Sequence, residues 1–296
     1  MLVLQSTAKG PHLSVLHADH SLAARIEHSV VRDLARYAEA CGALDPTLRL
    51  ATAHLAGGLA LFVAPGSPVN MLVGAGLDGV VDPADLDALE AFYAQHGTRA
   101  AISLCPLADE SLIARLGVRG WMLTDFENVL VRELDPATEP WRDVWAPFAP
   151  GIDVRVADNS AERALWARIS AGAFSAPDEP SAEVLRLGEA GGARQDMTLL
   201  IASVDGTDAA AGALWVDGDL GWMLGDATLP AQRCRGAQSA LLGERTRLAA
   251  AAGCTLAVTE ARPGSTSQRN MERLGYSVVY TRVEMIAPPS RRQERP

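Results

Sequence analysis

A short loop in the second half of the chain places two arginines and a glycine just before a predicted helix. Over positions 229–238 the sequence reads Leu-Pro-Ala-Gln-Arg-Cys-Arg-Gly-Ala-Gln, so that Gly236 follows Arg233 and Arg235. The first turn of a helix carries unpaired N–H groups and a partial positive charge, and a glycine there lets the backbone close on an anion. The arginines add charge at the same point. The pattern predicts a pyrophosphate-binding loop. The alternative is an ordinary strand–loop–helix turn with solvated arginines.

Carboxylates supply the candidate bases of the second half, because all six histidines lie before position 97. Asp226 precedes the loop, and Glu260 ends the next predicted strand. We predict both as catalytic bases, acting directly or through a held water, with a solvated strand-end carboxylate as the alternative for each. His17 and His20 have the spacing of a metal pair, but no third ligand accompanies them, so we predict a solvated loop or helix start and no metal site.

The elements that position these groups follow from hydrophobic periodicity and turn residues. The second half is predicted to run β-α-α-β-β-β-α-β-α-β. Its strands are expected at 152–157, 197–204, 210–216, 221–229, 255–260 and 276–285, and its helices at 160–174, 181–189, 236–252 and 265–274.

The two halves end in the same succession of a glycine, a strand, a loop, a short helix, a glycine followed by an aromatic residue, and a strand. The first glycines, Gly97 and Gly253, are 156 positions apart, and the second pair, Gly120 and Gly275, are 155 apart. A repeat of this length indicates two copies of one α/β unit.

Length and composition agree with two globular domains, because the chain has 296 residues, 48% of them hydrophobic and 21% charged. The net charge of -10 argues against a protein that binds nucleic acid through bulk charge. No apolar run approaches the roughly 20 residues that a membrane span needs, and the four cysteines form no CxxC pair. We therefore expect a cytoplasmic protein. The predicted divisions are a first domain (1–135), a Pro/Trp-rich linker (136–151), a second domain (152–290) and a tail (291–296).

The second half resembles the GNAT superfamily of N-acetyltransferases, whose order of elements it shares. The family's loop pattern is Arg or Gln, two residues, Gly, one residue, then Gly or Ala, and Arg233, Gly236 and Gln238 occupy it here. Glutamine thus replaces the last small residue. The resemblance covers 152–286 well and 20–133 more weakly, as a degenerate copy. It implies an α/β (α+β) fold of two GNAT-like domains, each a mixed, mostly antiparallel central sheet flanked by helices.

The resemblance also implies acetyl-CoA as co-substrate. Its pantetheine arm is expected where the strand ending at Leu229 parts from the next strand, with the Leu229 amide near the thioester carbonyl. We expect the Gln238 amide to donate to the ligand rather than to turn away. Met271 occupies the position of a tyrosine that often protonates the leaving thiolate in this family, and Tyr276 is predicted to be core. The predicted cofactor contacts are Ala227, Thr228, Leu229, Arg233, Arg235, Gly236, Ala237, Gln238, Ser239, Ser267 and Asn270.

The first half lacks the phosphate loop. Nineteen residues separate Leu77 from Gly97, whereas 23 separate Leu229 from Gly253. The remaining residues include four aspartates, which repel phosphate: Asp78, Asp82, Asp85 and Asp87. We therefore predict that the first copy does not bind coenzyme A, and that it packs on the second copy and walls part of the substrate cleft.

The predicted function is an acetyl-CoA-dependent N-acetyltransferase that acts on an amine, expected to be a small molecule. The alternative is a non-catalytic acyl-CoA-binding or regulatory module that kept the loop and lost the chemistry. We expect no nucleic-acid or membrane partner, and a monomer or a homodimer.

Overall fold

The computed structural model describes residues 16–135, 150–175 and 179–289. These ranges contain eleven strands and seven helices. Nearly all of the predicted linker and the whole predicted tail lie outside the described residues.

The first half begins with a 25-residue helix, α1, which Asp19 caps by accepting from the Leu22 amide at 2.8 Å. His20 is therefore the first residue of a capped helix, as predicted. The elements of this half are α1 (His20–Leu44), β1 (Ala51–Leu55), β2 (Gly58–Phe62), β3 (Leu72–Val73), α2 (Pro83–Gln95), β4 (Ala101–Leu104), α3 (Glu110–Val118) and β5 (Met122–Glu133).

The second half has the order of elements that the hydrophobic pattern predicts. Its elements are β6 (Ile152–Val156), α4 (Ser160–Ser175), α5 (Ala182–Ala193), β7 (Met197–Val204), β8 (Thr207–Asp217), β9 (Leu220–Thr228), a 3-10 turn (Pro230–Gln232), α6 (Ala237–Ala251), β10 (Leu256–Ala261), α7 (Thr266–Arg273) and β11 (Ser277–Ile286).

All eleven strands form one sheet, in the order β1-β2-β3-β4-β11-β5-β10-β9-β8-β7-β6. The last strands of the two halves have exchanged places. Strand β5 of the first half pairs with β10 of the second half, and β11 of the second half pairs with β4 of the first half. The two halves are therefore joined by backbone hydrogen bonds through the middle of the sheet.

The exchange follows the internal repeat. Strands β5 and β11 also pair with each other, antiparallel, and in this pairing Glu127 lies opposite Arg282. Arg282 follows Glu127 by 155 positions, the same separation as that of Gly120 and Gly275. The two repeats are thus related by an approximate twofold axis that passes between these two side chains, at the centre of the sheet.

The two faces of the sheet carry different helices. On the α1 face, one buried core contains Ile26 of α1, Trp166 of α4, and Val129 and Val258 of the central strands. The α6 face has a separate core, which contains Leu242 of α6, Met271 of α7, and the central-strand residues Leu130 and Ala257.

Helix α1 of the first half packs on strands of the second half. The Trp222 indole on β9 donates to Ser29 Oγ at 2.9 Å, and Ser29 Oγ donates to Asp217 at 2.5 Å. The guanidinium of Arg32 donates to the same carboxylate. The first copy therefore covers the second, which is the structural role that its sequence predicts.

Candidate functional site

Strands β9 and β10 part from each other at their carboxyl ends. Their parallel pairing runs from Leu220 and Leu256 to Met223 and Thr259, and ends there. Beyond this point β9 continues along β8, and β10 continues along β5 to Ala261. The backbone of β9 has no strand partner on this side, so those of its polar groups that accept no side-chain hydrogen bond there are available to a ligand.

A bulge in β9 accompanies the parting. The register between β8 and β9 shifts by one extra residue on β9, between Leu224 and Ala227. Gly225 lies in this interval with φ 64°, and a Cβ there would come within 3.2 Å of the Trp166 ring. The left-handed backbone and the close indole both favour glycine, and the bulge re-aims the end of the strand.

Ala227, Thr228 and Leu229 are the predicted cofactor contacts at the end of β9. The alternation of hydrogen-bonding direction along the strand decides which of them face the opening. The Leu229 amide donates to Ala209 O on β8 at 2.9 Å. In an antiparallel pair the hydrogen-bonding direction alternates along the strand, so Ala227 also faces β8, and Thr228 faces the opening. The structure thus contradicts the expectation that the Leu229 amide is available to a thioester.

Helix α6 begins without a side-chain cap. Its N-cap is Gly236, with φ 91°, and Ala237, Gln238 and Ser239 form its first turn. The other helices of the described chain each have a capping oxygen, supplied by Asp19, Asp82, Asp109, Asn159, Ser181 and Ser265. The bare amides of α6 are therefore open to an external anion, as the loop sequence predicts.

The two loop arginines are partly engaged within the protein. Arg233 donates to Thr228 O and to Ala173 O, both at 3.2 Å, and thereby ties the loop to β9 and α4. Arg235 pairs with Asp205 in the β7–β8 turn, where both side chains are exposed. Arg233 therefore shapes the loop, and Arg235 forms an exposed ion pair with a neighbouring loop.

Three predicted contact residues form a bridge between α6 and α7. The Gln238 amide donates to Ser267 Oγ at 3.0 Å, and Asn270 donates to Gln238 Oε1 at 2.8 Å. The structure brings these residues together, but it turns the Gln238 side chain toward α7. The alternative that we disfavoured from the sequence, a side chain that turns away, is the one observed.

This bridge has a measurable consequence for stability. We expect Gln238→Ala to lower the free energy of unfolding by roughly 1–3 kcal/mol, because two part-buried hydrogen bonds are lost at about 0.5–1.5 kcal/mol each. Denaturant titration measures the change. Gln195→Ala, at an exposed loop position, is the control and should change stability by less than about 0.5 kcal/mol. Equal stability of both variants would contradict the bridging role.

The corresponding point of the first half offers no such anion site. Helix α2 begins with Pro83, and Asp82 caps it by accepting from the Ala84 amide at 2.8 Å. Asp85 adds a second carboxylate in the first turn. Strand β3 has only two residues, so little backbone is left beside β4.

Asp226, a predicted base, lies in a buried ion pair on the α6 face. Its carboxylate contacts Arg245, whose side chain is 0% exposed. The same guanidinium donates to Ala213 O and Leu224 O, each at 3.1 Å. Burial raises the pKa of Asp226 and the Arg245 charge opposes that rise. A carboxylate held in this way supports the end of β9 and is poorly placed to accept a substrate proton.

Glu260, the other predicted base, lies on the α1 face at the point where β10 leaves β9. It contacts Arg282, which is 3% exposed and also donates from Nε to Glu27 Oε1 of α1 at 2.7 Å. Glu127 lies 3.8 Å from the same guanidinium, and Tyr280 Oη donates to Glu27 at 2.7 Å. Three further charged residues, Asp125, Arg262 and Glu284, lie near these five side chains. We call the whole set the seam cluster. Its members are Glu27, Asp125, Glu127, Glu260, Arg262, Tyr280, Arg282 and Glu284.

Sequence reasoning missed Glu127. The neighbouring Glu260 carboxylate and burial raise the pKa of Glu127 to about 8, although the Arg282 charge acts in the opposite direction. Nothing in the sequence links Glu127 to the second half, because it reaches Glu260 only through the strand exchange. A carboxylate with a pKa near neutrality is suited to proton transfer.

The remaining candidates for acid–base chemistry are part of the core. Met271 is buried, and so is Tyr276, whose hydroxyl lies 2.9 Å from Thr246 Oγ1. Burial raises the pKa of Tyr276 to about 12. The prediction that Tyr276 is a core residue is confirmed.

Two other kinds of feature, a metal-binding group and a membrane span, are absent from the described ranges. No group of three or more His, Cys, Asp or Glu side chains there is arranged to hold a metal ion. None of the described helices is both long enough and apolar enough to cross a membrane.

Comparison with known proteins identifies the fold. No protein-family model matches the sequence, and no curated protein does so. Among solved structures, the chain is similar to a GCN5-related N-acetyltransferase from Kribbella flavida, with a TM-score of 0.64 and 18% identity over 91% of this chain and 96% of that one. It is also similar to a tandem GNAT protein from the clavulanic acid biosynthesis pathway, with a TM-score of 0.53 and 16% identity over 79% of this chain and 80% of that one.

Proposed function

The chain has the tandem GNAT fold, and from this premise we propose that it is an acetyl-CoA-dependent N-acetyltransferase acting on a small amine. The observation that carries the proposal is the parting of β9 and β10 beside the uncapped start of α6. An open strand edge and a bare helix start lie within one stretch of chain, 224–239, and suit the amide-rich arm and the pyrophosphate of one ligand.

The residues of the second half divide the work of holding coenzyme A. The amides of Ala237, Gln238 and Ser239 receive the pyrophosphate, because no side chain caps them. Thr228 offers its backbone N–H to the pantetheine arm, because its carbonyl oxygen already accepts from Arg233. Arg235, which is 40% exposed, adds positive charge near the phosphates.

The acceptor amine approaches from the α1 face, where Glu260 marks the parting of the strands. When bound, acetyl-CoA supplies an activated thioester. The protein's own task is to bring a deprotonated amine to it and to exclude water.

A non-catalytic acyl-CoA-binding module remains the competing function, and one observation favours it. Met271 is buried in the α6-face core and has no hydroxyl to give a proton to the leaving thiolate. Incubation with acetyl-CoA, a panel of amines and a free-thiol reagent separates the two. Amine-dependent release of thiol supports the enzyme, and binding without release supports the module.

We expect one coenzyme A site per chain, because the first half caps its corresponding helix with Asp82 and the second half leaves α6 bare. Isothermal titration calorimetry with coenzyme A should give a stoichiometry near one. Two equivalent sites per chain would contradict this assignment.

A further inference from the structure

The seam cluster contains more negative than positive charge. Five carboxylates, from Glu27, Asp125, Glu127, Glu260 and Glu284, surround the two guanidinium groups of Arg262 and Arg282. The excess of negative charge contributes to the raised pKa of Glu127, which is about 8. The pKa of Glu284 is also raised, by burial and by the Asp125 charge. One of these carboxylates, that of Glu27, is buried and the others are partly exposed, and carboxylates that outnumber the nearby guanidinium groups attract a cation.

Two polar atoms in this cluster have no partner. Glu27 is 1% exposed, and its Oε1 is used by Arg282 and Tyr280, whereas its Oε2 has no hydrogen-bond partner in the described structure. Arg282 Nη2 is likewise buried without a partner. Buried groups of this kind are hydrogen-bonded in nearly all proteins, and here Glu27 Oε2 can accept and Arg282 Nη2 can donate a further hydrogen bond.

The cluster lies at the opening in the sheet and reaches solvent. Glu260 is the first β10 residue beyond the pairing with β9, and its side chain is 26% exposed. Asp125 and Arg262, 2.9 Å apart, line an open cleft of about 400 Å³ together with Phe126 and residues 263–265. This cleft brings one carboxylate and one guanidinium of the cluster to the surface beside the end of β10.

We propose that the seam cluster is the acceptor site, that it selects small amines carrying more than one positive charge, and that Glu127, a residue of the first half, takes the proton from the reacting ammonium group. This inference rests on the function proposed above. A second cationic group on the acceptor is expected because excess carboxylate remains after the reacting nitrogen has become neutral. The first half then completes the active site of the second through its exchanged strand.

The proton and bond changes balance without a further reactant. The acceptor ammonium gives one proton to the Glu127 carboxylate, and the neutral nitrogen attacks the thioester carbonyl carbon. A C–N bond forms and the C–S bond breaks. The nitrogen loses its second proton, the departing sulfur takes one up to become the free thiol, and Glu127 releases its own to solvent. One ammonium and one thioester thus give one amide, one thiol and one proton.

Three four-carbon amines of different charge test the selectivity: 1,4-diaminobutane, 1-aminobutane and 4-aminobutanoate. Their binding to the protein saturated with coenzyme A is measured by calorimetry at pH 7, and their acetylation by thiol release. We expect the diamine to bind at least about tenfold more tightly than the monoamine, and the amino acid to bind least. Equal binding of all three would overturn the charge selectivity. Failure of coenzyme A itself to bind would instead overturn the proposed function.

Glu127→Gln tests the proton acceptor, with 1,4-diaminobutane as the acceptor. We expect kcat to fall about 100-fold, with the affinity for coenzyme A unchanged. In the wild type the rate should rise as pH increases through about 8, where Glu127 loses its proton, and this rise should be absent in the variant. The groups that face Glu127 and set this pH are Glu260, Arg282, Glu284, Asp125 and, behind Arg282, Glu27.

Glu133→Gln is the matched control, because it removes the same charge from the exposed far end of the same strand. It should keep the wild-type rate and pH profile. A Glu127→Gln enzyme with wild-type kcat, or with the same rise in rate, would overturn the role of Glu127. The same conclusion would follow if the wild type bound the diamine and did not acetylate it.

Discussion

Replacing Arg282 by methionine is expected to lower the free energy of unfolding by about 3–5 kcal/mol, the largest stability effect that we expect for a single side chain. Burial alone would lower the pKa of Arg282, but Glu27 and Glu260 raise it well above its ordinary value, so it is charged at all accessible pH. Without this charge, Glu27 is left in the core at 1% exposure with no counter-ion. Denaturant titration at pH 7 measures the loss.

Two further variants serve as controls for Arg282→Met. Arg262→Met removes a guanidinium from the same cluster at 74% exposure and should cost less than about 1 kcal/mol. The double variant Glu27→Gln/Arg282→Met also removes the Glu27 charge that has lost its counter-ion. It should recover part of the lost free energy of unfolding. An Arg282→Met protein no less stable than Arg262→Met would show that the central ion pairs are not required for folding.

Replacing Gly236 by valine should raise the dissociation constant for coenzyme A by about 10- to 100-fold. Gly236 is the N-cap of α6 and has φ 91°, a backbone conformation that valine adopts only with strain. It lies next to the amides that are proposed to receive the pyrophosphate, so a side chain there would crowd the ligand. Losing one charge-assisted hydrogen bond of about 1.5–3 kcal/mol corresponds to a change of this size. Calorimetry with the folded variant measures it.

Gly218→Val controls for backbone strain. Gly218 also has a positive φ, of 61°, and lies in the exposed turn before β9, with no atom within 4 Å of an added Cβ. It should lose stability to a similar degree and keep wild-type affinity for coenzyme A. If the two variants bound coenzyme A equally well, the placement of the pyrophosphate on α6 would be wrong.

Local patterns were enough to predict the elements of the second half. Turn residues such as Asp205-Gly206 and alternating apolar residues depend on neighbours only a few positions away, so strands and helices could be located from them. The bare start of α6 was predicted for the same reason, because a helix is capped or left uncapped by residues adjacent to it. The repeat indicated two related copies, and the tandem fold confirms this.

The partners of polar side chains could not be predicted in this way. Asp226 and Glu260 were correctly placed near the end of their strands, but the ion pairs with Arg245 and Arg282 join residues 19 and 22 positions apart in sequence. These pairs decide whether each carboxylate is available. Gln238 turns toward Ser267 and Asn270 because α7 packs beside α6, which the loop pattern does not record.

The amino-acid sequence by itself determined the order of the elements in the second half, the repeat, the glycine at the start of α6 and the shorter segment at the corresponding point of the first half. Only the tertiary structure decided which strand pairs with which. A strand has the same alternation whether it completes its own half or the other one, so the exchange of β5 and β11 leaves no local signal. That exchange brings Glu127 of the first half to 3.8 Å from Arg282 at the centre of the sheet.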